Sequence, residues 1–317
     1  MTKEQRDHGG GIDAAIARFK GTRIGWIDLS TGINPHPYPI RTLPSDAWTA
    51  LPDSAAASRL LDAARTLWNV PPEADLLAAP GASSLIARIP GLAPAGSVAI
   101  PGPTYNEHAA AFAAHGWTVT DRTDATAQVI VHPNNPDGRI WTQQTLPAPQ
   151  AALTIIDESF CDVSPTQSLM ARAAAPGSLV LKSFGKFWGL AGLRLGFVAG
   201  DPGLVAQLRA ALGPWPVAGP ALAVGAEALA DAGWARTTRA RLAEDAARLD
   251  ALMQIAGARV LGGTTLFRLY EVEDAAAWQT KLAQHRIWSR IFPYNPRWLR
   301  LGLPHALHWP RINAALA

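Results

Sequence analysis

Lys186 stands in the segment SFGKFWGLAGLRLG (residues 183–196), among aromatic side chains and four glycines, with Arg194 eight residues further on. Lysines more often sit among other charges on a solvated surface. In apolar surroundings the ammonium form is disfavoured, and the free amine becomes a nucleophile towards aldehydes. A surface loop between two strands would give the same spacing, so the segment has to be weighed with its neighbours.

Four other segments carry side chains of interest. In APGASSLIARI (79–89), Gly81, Ala82, Ser83 and Ser84 precede an apolar helical pattern. Small residues at a helix start leave backbone N–H groups free for a phosphate, although an ordinary helix cap uses the same residues. Tyr105 in PGPTYNEH follows a strand and a proline turn, where its ring can stack on a flat ligand or simply pack. HPNNPDGR (132–139) is a turn by composition, of the kind that is usually structural and sometimes aims an asparagine amide into a site. IIDESF ends an apolar run with Asp157 and Glu158. Buried carboxylates are costly unless paired, and the partner could be a backbone donor, a distant arginine or the cationic ring nitrogen of a ligand.

The elements that must hold these residues are legible as a pattern. SVAIP, TVTD, AQVIVHP, LTIIDES, LVLKSF and LGFVAG read as short buried strands, several separated by helical stretches such as NEHAAAFAAHG. Buried strands alternating with helices predict an α/β fold with a mostly parallel sheet covered on both faces. Ligands then belong at the carboxyl ends of the strands. After Gly219 the chain turns helical, with WARTTRARLAEDAARLDALMQIAG closed by Gly257, and a mixed run of strands and helices follows as a smaller α+β layer.

Bulk properties narrow the classes. The 317 residues are 48% hydrophobic and 17% charged, with a net charge of +3, which suits a globular chain with a sizeable core. Without a basic stripe interleaved with aromatics, nucleic acid is not expected as a partner. Arg286, Arg290, Arg297 and Arg300 gather near the C-terminus and suit a small anionic ligand as well as a solvated face. A single cysteine, Cys161, excludes an intramolecular disulfide and a cysteine-based zinc site. A polar N-terminus and the lack of about 18 consecutive apolar residues lead us to expect a cytoplasmic protein with no membrane partner and no metal. No Gly-x-Gly-x-x-Gly turn follows an early strand, which disfavours a nicotinamide dehydrogenase.

Taken in order, the small-residue loop, the aromatic, the Asn-Pro turn, the strand-end aspartate, Ser-x-x-Lys and the arginine resemble the fold-type I, aspartate-aminotransferase-like family of pyridoxal 5'-phosphate enzymes, across nearly the whole chain. The resemblance implies a large cofactor-binding domain over residues 41–224, a small domain from 1–40 and 225–317, and a homodimer with active sites at its interface. It implies that Lys186 carries the cofactor and that Asp157 bonds its pyridine nitrogen. Asn135 would lie near the ring oxygen and Tyr105 on the ring, with Gly81, Ala82, Ser83, Ser183 and Arg194 around the phosphate. Two positions depart from the pattern: Phe160 and Leu51 stand where many relatives have tyrosines. A non-catalytic binder on this fold would be expected to lack Lys186 or Asp157, and both are present.

The chain ends resemble one branch of the family. DHGG (7–10), LSTGINPHPYP (29–39), GGTTLFRL (262–269) and WLRLGLP (298–304) look like the threonine-phosphate decarboxylases of cobalamin synthesis, whose close cousins are the histidinol-phosphate aminotransferases. The resemblance implies decarboxylation of a small phosphorylated amino acid, O-phospho-L-threonine, with a histidinol-phosphate or related amino-acid aminotransferase as the alternative. Arg300 would take its carboxylate, His8 and Asn34 would help hold its phosphate with Arg290 nearby, and Gly32 would also bind the substrate.

Overall fold

The computed structural model describes residues 8–122, 124–142, 146 and 152–317. The chain forms two compact units, one of Pro37–Asn135 and Arg139–Arg236, the other of Met1–His36, Pro136–Gly138 and Thr237–Ala317.

The larger unit is built on seven strands: β1 (Asp75–Ala79), β2 (Ser97–Ala99), β3 (Thr118–Thr120), β4 (Ala127–Val131), β5 (Leu153–Asp157), β6 (Ser178–Ser183) and β7 (Gly196–Gly200). Their order in the sheet is β1-β7-β6-β5-β4-β2-β3. β3, β2, β4, β5 and β6 pair in parallel, whereas β7 runs antiparallel to both β6 and β1. Six of these strands coincide with the apolar runs in the sequence; β1 is the seventh. All five residues of β4 and of β7 are buried, as strands covered on both faces require. Leu77, Val98, Val129, Ile155, Leu181 and Val198 pack with Phe112 and Leu208 in one core cluster. Each fully buried aliphatic side chain there contributes roughly 1.5–3 kcal/mol.

Parallel pairing brings the carboxyl ends of β2, β4, β5 and β6 to one edge, so the loops that follow them gather there. Asp157 closes β5 in register with Val131 and Leu181, and Ser183 closes β6 opposite Gly196. Helices α1 (Ser54–Trp68), α2 (Ala82–Ile86), α3 (Asn106–Ala114), α4 (Phe184–Phe187), α5 (Pro202–Leu212) and α6 (Gly219–Ala230) belong to this unit. α1 starts at Asp53, whose carboxylate accepts from Ala56 N at 2.7 Å.

The smaller unit contains a four-stranded antiparallel sheet of β8 (Arg259–Thr264), β9 (Phe267–Glu271), β10 (Arg290–Phe292) and β11 (Asn295–Gly302), in the order β10-β11-β9-β8. Phe267 and Leu269 are buried on one of its faces, and Leu299 and Leu301 on the other. Two short parallel strands, Ile27–Asp28 and Ile287–Trp288, tie the N-terminal segment to the C-terminal one. The long helix α7 spans Ala232–Ile255, with Gly257 following at φ 93° as expected of a helix stop.

The unit boundaries fall at 36/37 and 236/237, whereas the resemblance implied domain boundaries at 40/41 and 224/225. Pro37–Ile40 stay with the larger unit because Tyr38 N donates to Trp188 O and its ring meets Trp188 and Trp234 edge-on. α6 stays with it by packing along α1. Residues 136–138 join the smaller unit, where Asp137 O accepts from Gly263 N at 2.8 Å.

Candidate active site

At the carboxyl edge of the large sheet a cavity of about 110 Å3 is lined by Ala82, Ser83, Tyr105, Asn135, Asp157, Phe160, Ser183, Lys186 and Arg194, among others. Gly81 adjoins it. Eight of the nine residues that the resemblance assigned to the cofactor thus line one cavity, drawn from five separate segments of the chain.

Asp157 forms the floor. It is 2% exposed, and its Oδ2 accepts from His108 Nε2 at 2.8 Å while Oδ1 accepts from Ser159 N and Oγ. Burial alone would raise this carboxyl. The hydrogen bonds and charge of His108, with those of Ser159, outweigh it and hold the acid below the usual carboxylate range. The site therefore keeps a buried anion facing the cavity. His108 was missed at the level of sequence. It lies one turn after Tyr105 on α3, and its ring stands edge-on to the tyrosine at 6.0 Å.

The neighbouring Glu158 points into a different, closed network. Its carboxylate meets Lys182 Nζ at 2.7 Å, Ser168 Oγ at 2.8 Å and Leu169 N. Lys182 also reaches Asp162, which accepts from Trp68 Nε1. Of the two strand-end carboxylates, then, one finds an internal cation and the other a histidine and a serine.

The turn 132–139 divides its labour between its two asparagines. Asn134 is a staple: its Oδ1 accepts from Thr104 Oγ1 at 2.6 Å and its amide donates to Pro103 O. That bond holds the turn against the loop bearing Tyr105, and it leaves Asn135 on the cavity wall. Lys186 sits on α4 with its Nζ 5.5 Å from the centre of the Phe160 ring. At that wall the chain offers a ring face and no hydroxyl.

The opposite end of the cavity is built from backbone. Gly81 has φ 83°, which side-chain-bearing residues rarely adopt, and a Cβ there would lie 2.6 Å from an Arg194 nitrogen. A Cβ on Gly196 would stand 2.3 Å from Ala82 N. The two glycines let β7 and the Arg194 guanidinium close upon the start of α2. Arg194 itself has φ 52°, a conformation that costs a residue with a side chain about 1–3 kcal/mol and collects at functional positions. Backbone N–H groups, Ser83, Ser183 and an exposed guanidinium make a phosphate cradle; a buried anion, an aromatic ring and a lysine make the rest of a site for a phosphorylated pyridine aldehyde. The donor set fits pyridoxal phosphate.

The five substrate-site candidates lie in the smaller unit. Arg290 and Arg300 are direct partners across β10 and β11. Arg300 is 5% exposed, donates to Ser30 O at 2.6 Å and lies over the Phe267 ring. Gly32 and Asn34 are buried on the segment after Ile27–Asp28, and Asn34 Oδ1 accepts from His36 N and Arg241 Nη2. His8 is exposed; two residues on, Gly10 N donates to Ser30 Oγ.

The fold and this cavity define the class. Residues 120–308 match the aminotransferase class I and II family, and the chain belongs to it. More particularly, it is similar to the threonine-phosphate decarboxylase of a Sinorhizobium species, at 42% identity over 98% of this chain and 97% of that one. The threonine-phosphate decarboxylase of Pseudomonas aeruginosa is 37% identical over 98% and 97%. Among solved structures, the histidinol-phosphate aminotransferase of Clostridium acetobutylicum shares the fold, with a TM-score of 0.79 at 18% identity over 92% of this chain and 98% of that one.

Proposed function

We propose that the chain is a pyridoxal-phosphate enzyme that decarboxylates O-phospho-L-threonine to aminopropanol phosphate in cobalamin synthesis. The observation that carries the substrate is the 42% identity to a threonine-phosphate decarboxylase over nearly the full length of both chains. The assembled cavity carries the cofactor.

Pyridoxal phosphate supplies an aldehyde that joins amines and a pyridine ring that takes up the electron pair left when a bond to the substrate's α-carbon breaks. Lys186 would offer the amine that holds it and could move a proton at the substrate's α-carbon. Asp157, kept anionic by His108 and Ser159, holds a proton at the pyridine nitrogen. Ala82, Ser83, Ser183 and Arg194 would hold the phosphate, and Tyr105 and Asn135 would bind the ring.

In the substrate site, Arg300 takes the carboxylate, and His8, Gly32, Asn34 and Arg290 the phosphate. Two guanidinium groups paired across neighbouring strands favour a bound anion. A tight ion pair to the carboxylate stabilises the ground state, and that charge is lost as CO2 departs. Catalysis needs the opposite balance, so binding energy from the phosphate has to offset a weakened carboxylate contact. An aminotransferase would differ in which bond of the substrate the site positions for cleavage.

Trp48, Leu51 and Trp215 are 70%, 68% and 56% exposed. Leu51 also lines a groove of about 330 Å3 with Ala47 and Leu222. This apolar surface supports a homodimer. Among the described residues no helix is long and apolar enough to cross a membrane, and Cys161 is a free thiol, which fits a cytoplasmic enzyme.

The test is to incubate cofactor-supplied protein with O-phospho-L-threonine and no keto acid, measuring CO2 and aminopropanol phosphate. Steady turnover that Lys186→Ala lacks is expected. Absence of CO2, with amino transfer from histidinol phosphate to 2-oxoglutarate, would replace the decarboxylase by the aminotransferase.

A further inference from the structure

The smaller unit holds a second concentration of polar side chains, centred on Asn34. This residue is 2% exposed, and its Oδ1 accepts from His36 N at 3.0 Å and from Arg241 Nη2 at 2.9 Å. Arg241 comes from α7, 207 residues away in sequence. Its Nε is buried and meets no acceptor among the described residues. Asp245, one turn further along α7, partly offsets its charge, but that carboxyl is itself raised by burial and bonded to the Trp309 side chain.

Beside this pair the rings of His36 and His305 are stacked, 4.0 Å between centres and 28° apart. Their tautomers follow from the backbone. Ala306 N donates to His36 Nε2 at 3.2 Å, and Leu307 N donates to His305 Nδ1 at 3.3 Å. A nitrogen that accepts carries no hydrogen, so the neutral rings bear theirs on His36 Nδ1 and His305 Nε2. Burial, then Arg241 and His305, push His36 down to about 4, so it stays a neutral donor at pH 7. The corner therefore offers one guanidinium and two imidazole N–H donors. The nearby guanidinium and the protonated outer nitrogens argue against a metal cation. A compact anion with several acceptor oxygens matches the donors.

We propose that His36, Arg241 and His305, held together with Asn34, add to His8 and Arg290 in recognising the phosphate of a small phosphate monoester, which on the functional reading above is the phosphate of the substrate. Asn34 orients the guanidinium, Arg241 supplies the charge, and the two imidazoles add direction. Arg241, His36 and His305 thereby become specificity determinants for a phosphorylated over an unphosphorylated amino acid.

Calorimetric titrations of the cofactor-loaded protein with O-phospho-L-threonine, L-threonine and inorganic phosphate test this. In Arg241→Gln, affinity for phosphothreonine and for inorganic phosphate is expected to fall about 10- to 100-fold, with L-threonine unchanged and KM raised more than kcat is lowered. His305→Ala, on a partly exposed turn, is expected to weaken both phosphorylated ligands about 3- to 10-fold, and decides alone if Arg241→Gln does not fold. Wild-type affinity for phosphothreonine in the variants, or equal loss for threonine and phosphothreonine, overturns the proposal. Arg241-dependent binding of inorganic phosphate in an enzyme that releases no CO2 from phosphothreonine would uphold this site and sink the functional reading alone.

Discussion

Replacing Lys182 by methionine removes a charge while nearly keeping the volume. In the native chain Lys182 and Glu158 are 2% and 1% exposed, with 2.7 Å between Nζ and Oε2 and Asp162 3.3 Å away. Removing one partner of a buried pair costs about 3–5 kcal/mol, because the remaining charge is left in a low dielectric. Glu158 keeps Ser168 and Leu169, and Asp162 keeps Trp68, which places the expected loss at the lower end, about 3 kcal/mol. For a unit of this size that is roughly 6–12 °C in Tm. The pH dependence is diagnostic. Burial raises the Glu158 acid, but Lys182 and the other donors outweigh it and lower it, so its contribution is present above about pH 4.3 and lost as pH falls through the lower folded value. Burial pulls the Lys182 ammonium down, but Glu158 and Asp162 outweigh it, so its contribution holds below about pH 10.4 and is lost above the raised folded value. Without the lysine, burial raises the Glu158 acid instead, and that variant gains stability as pH falls. Thermal unfolding followed by tryptophan fluorescence at pH 8 and pH 5 should therefore show the gap to wild type narrowing on acidification. Adding Glu158→Gln should recover about half of the loss. A shift under about 1 °C, or a gap independent of pH, would refute the argument.

Three further outcomes follow from the same geometry. His108→Gln removes the partner that helps keep Asp157 ionised, so the acid limb of the pH–rate profile should move to higher pH and cofactor-dependent activity should fall about 10- to 100-fold at neutral pH. Gly196→Ala places a methyl group 2.3 Å from Ala82 N, and spectroscopic titration with pyridoxal phosphate should show at least about tenfold weaker binding in a chain that still folds. Burial pushes the Cys161 thiol well up, so a disulfide reagent should label it only on unfolding, releasing one equivalent; rapid labelling of native protein would contradict its placement.

How much of this was legible in the sequence depended on how local each signal was. Each cofactor-site residue sits in a short segment that alone suits a structural role as well; their order along the chain carried the resemblance, and the parallel sheet makes those segments converge once the strands are recognised. Asp157 could be flagged because a carboxylate at the end of LTIID needs a partner. Its partner could not, because His108 is 49 residues away and meets it only through the order of β2, β4 and β5. The antiparallel placement of β7 was equally hidden, since GFVAG, buried at every position, has the same composition whichever way it runs. Which asparagine of the 132–139 turn faces the site is likewise decided by Thr104 and Pro103, thirty residues upstream, and by nothing within the turn.

Phe160 shows how the two kinds of information combine. From sequence it was a departure, a ring without the hydroxyl that many relatives carry. In the structure it is also a surface: its face lies 5.5 Å from Lys186 Nζ, within the range where a cation is attracted to the ring. A phenylalanine there cannot donate to a ligand oxygen, so on the proposed function such a donor would come from elsewhere on the cavity wall, which Asn135 also lines. The loss of one hydroxyl thus shifts weight onto a residue whose position is set by its neighbour, Asn134. The prediction that separates these roles is Asn134→Ala. Asn134 is not among the residues lining the cavity, yet its loss should disturb Asn135 and Tyr105 together by releasing the turn from Thr104 and Pro103. Cofactor affinity and the absorbance of the bound cofactor should both change, whereas an indifferent spectrum would mean that the turn holds its shape without the staple.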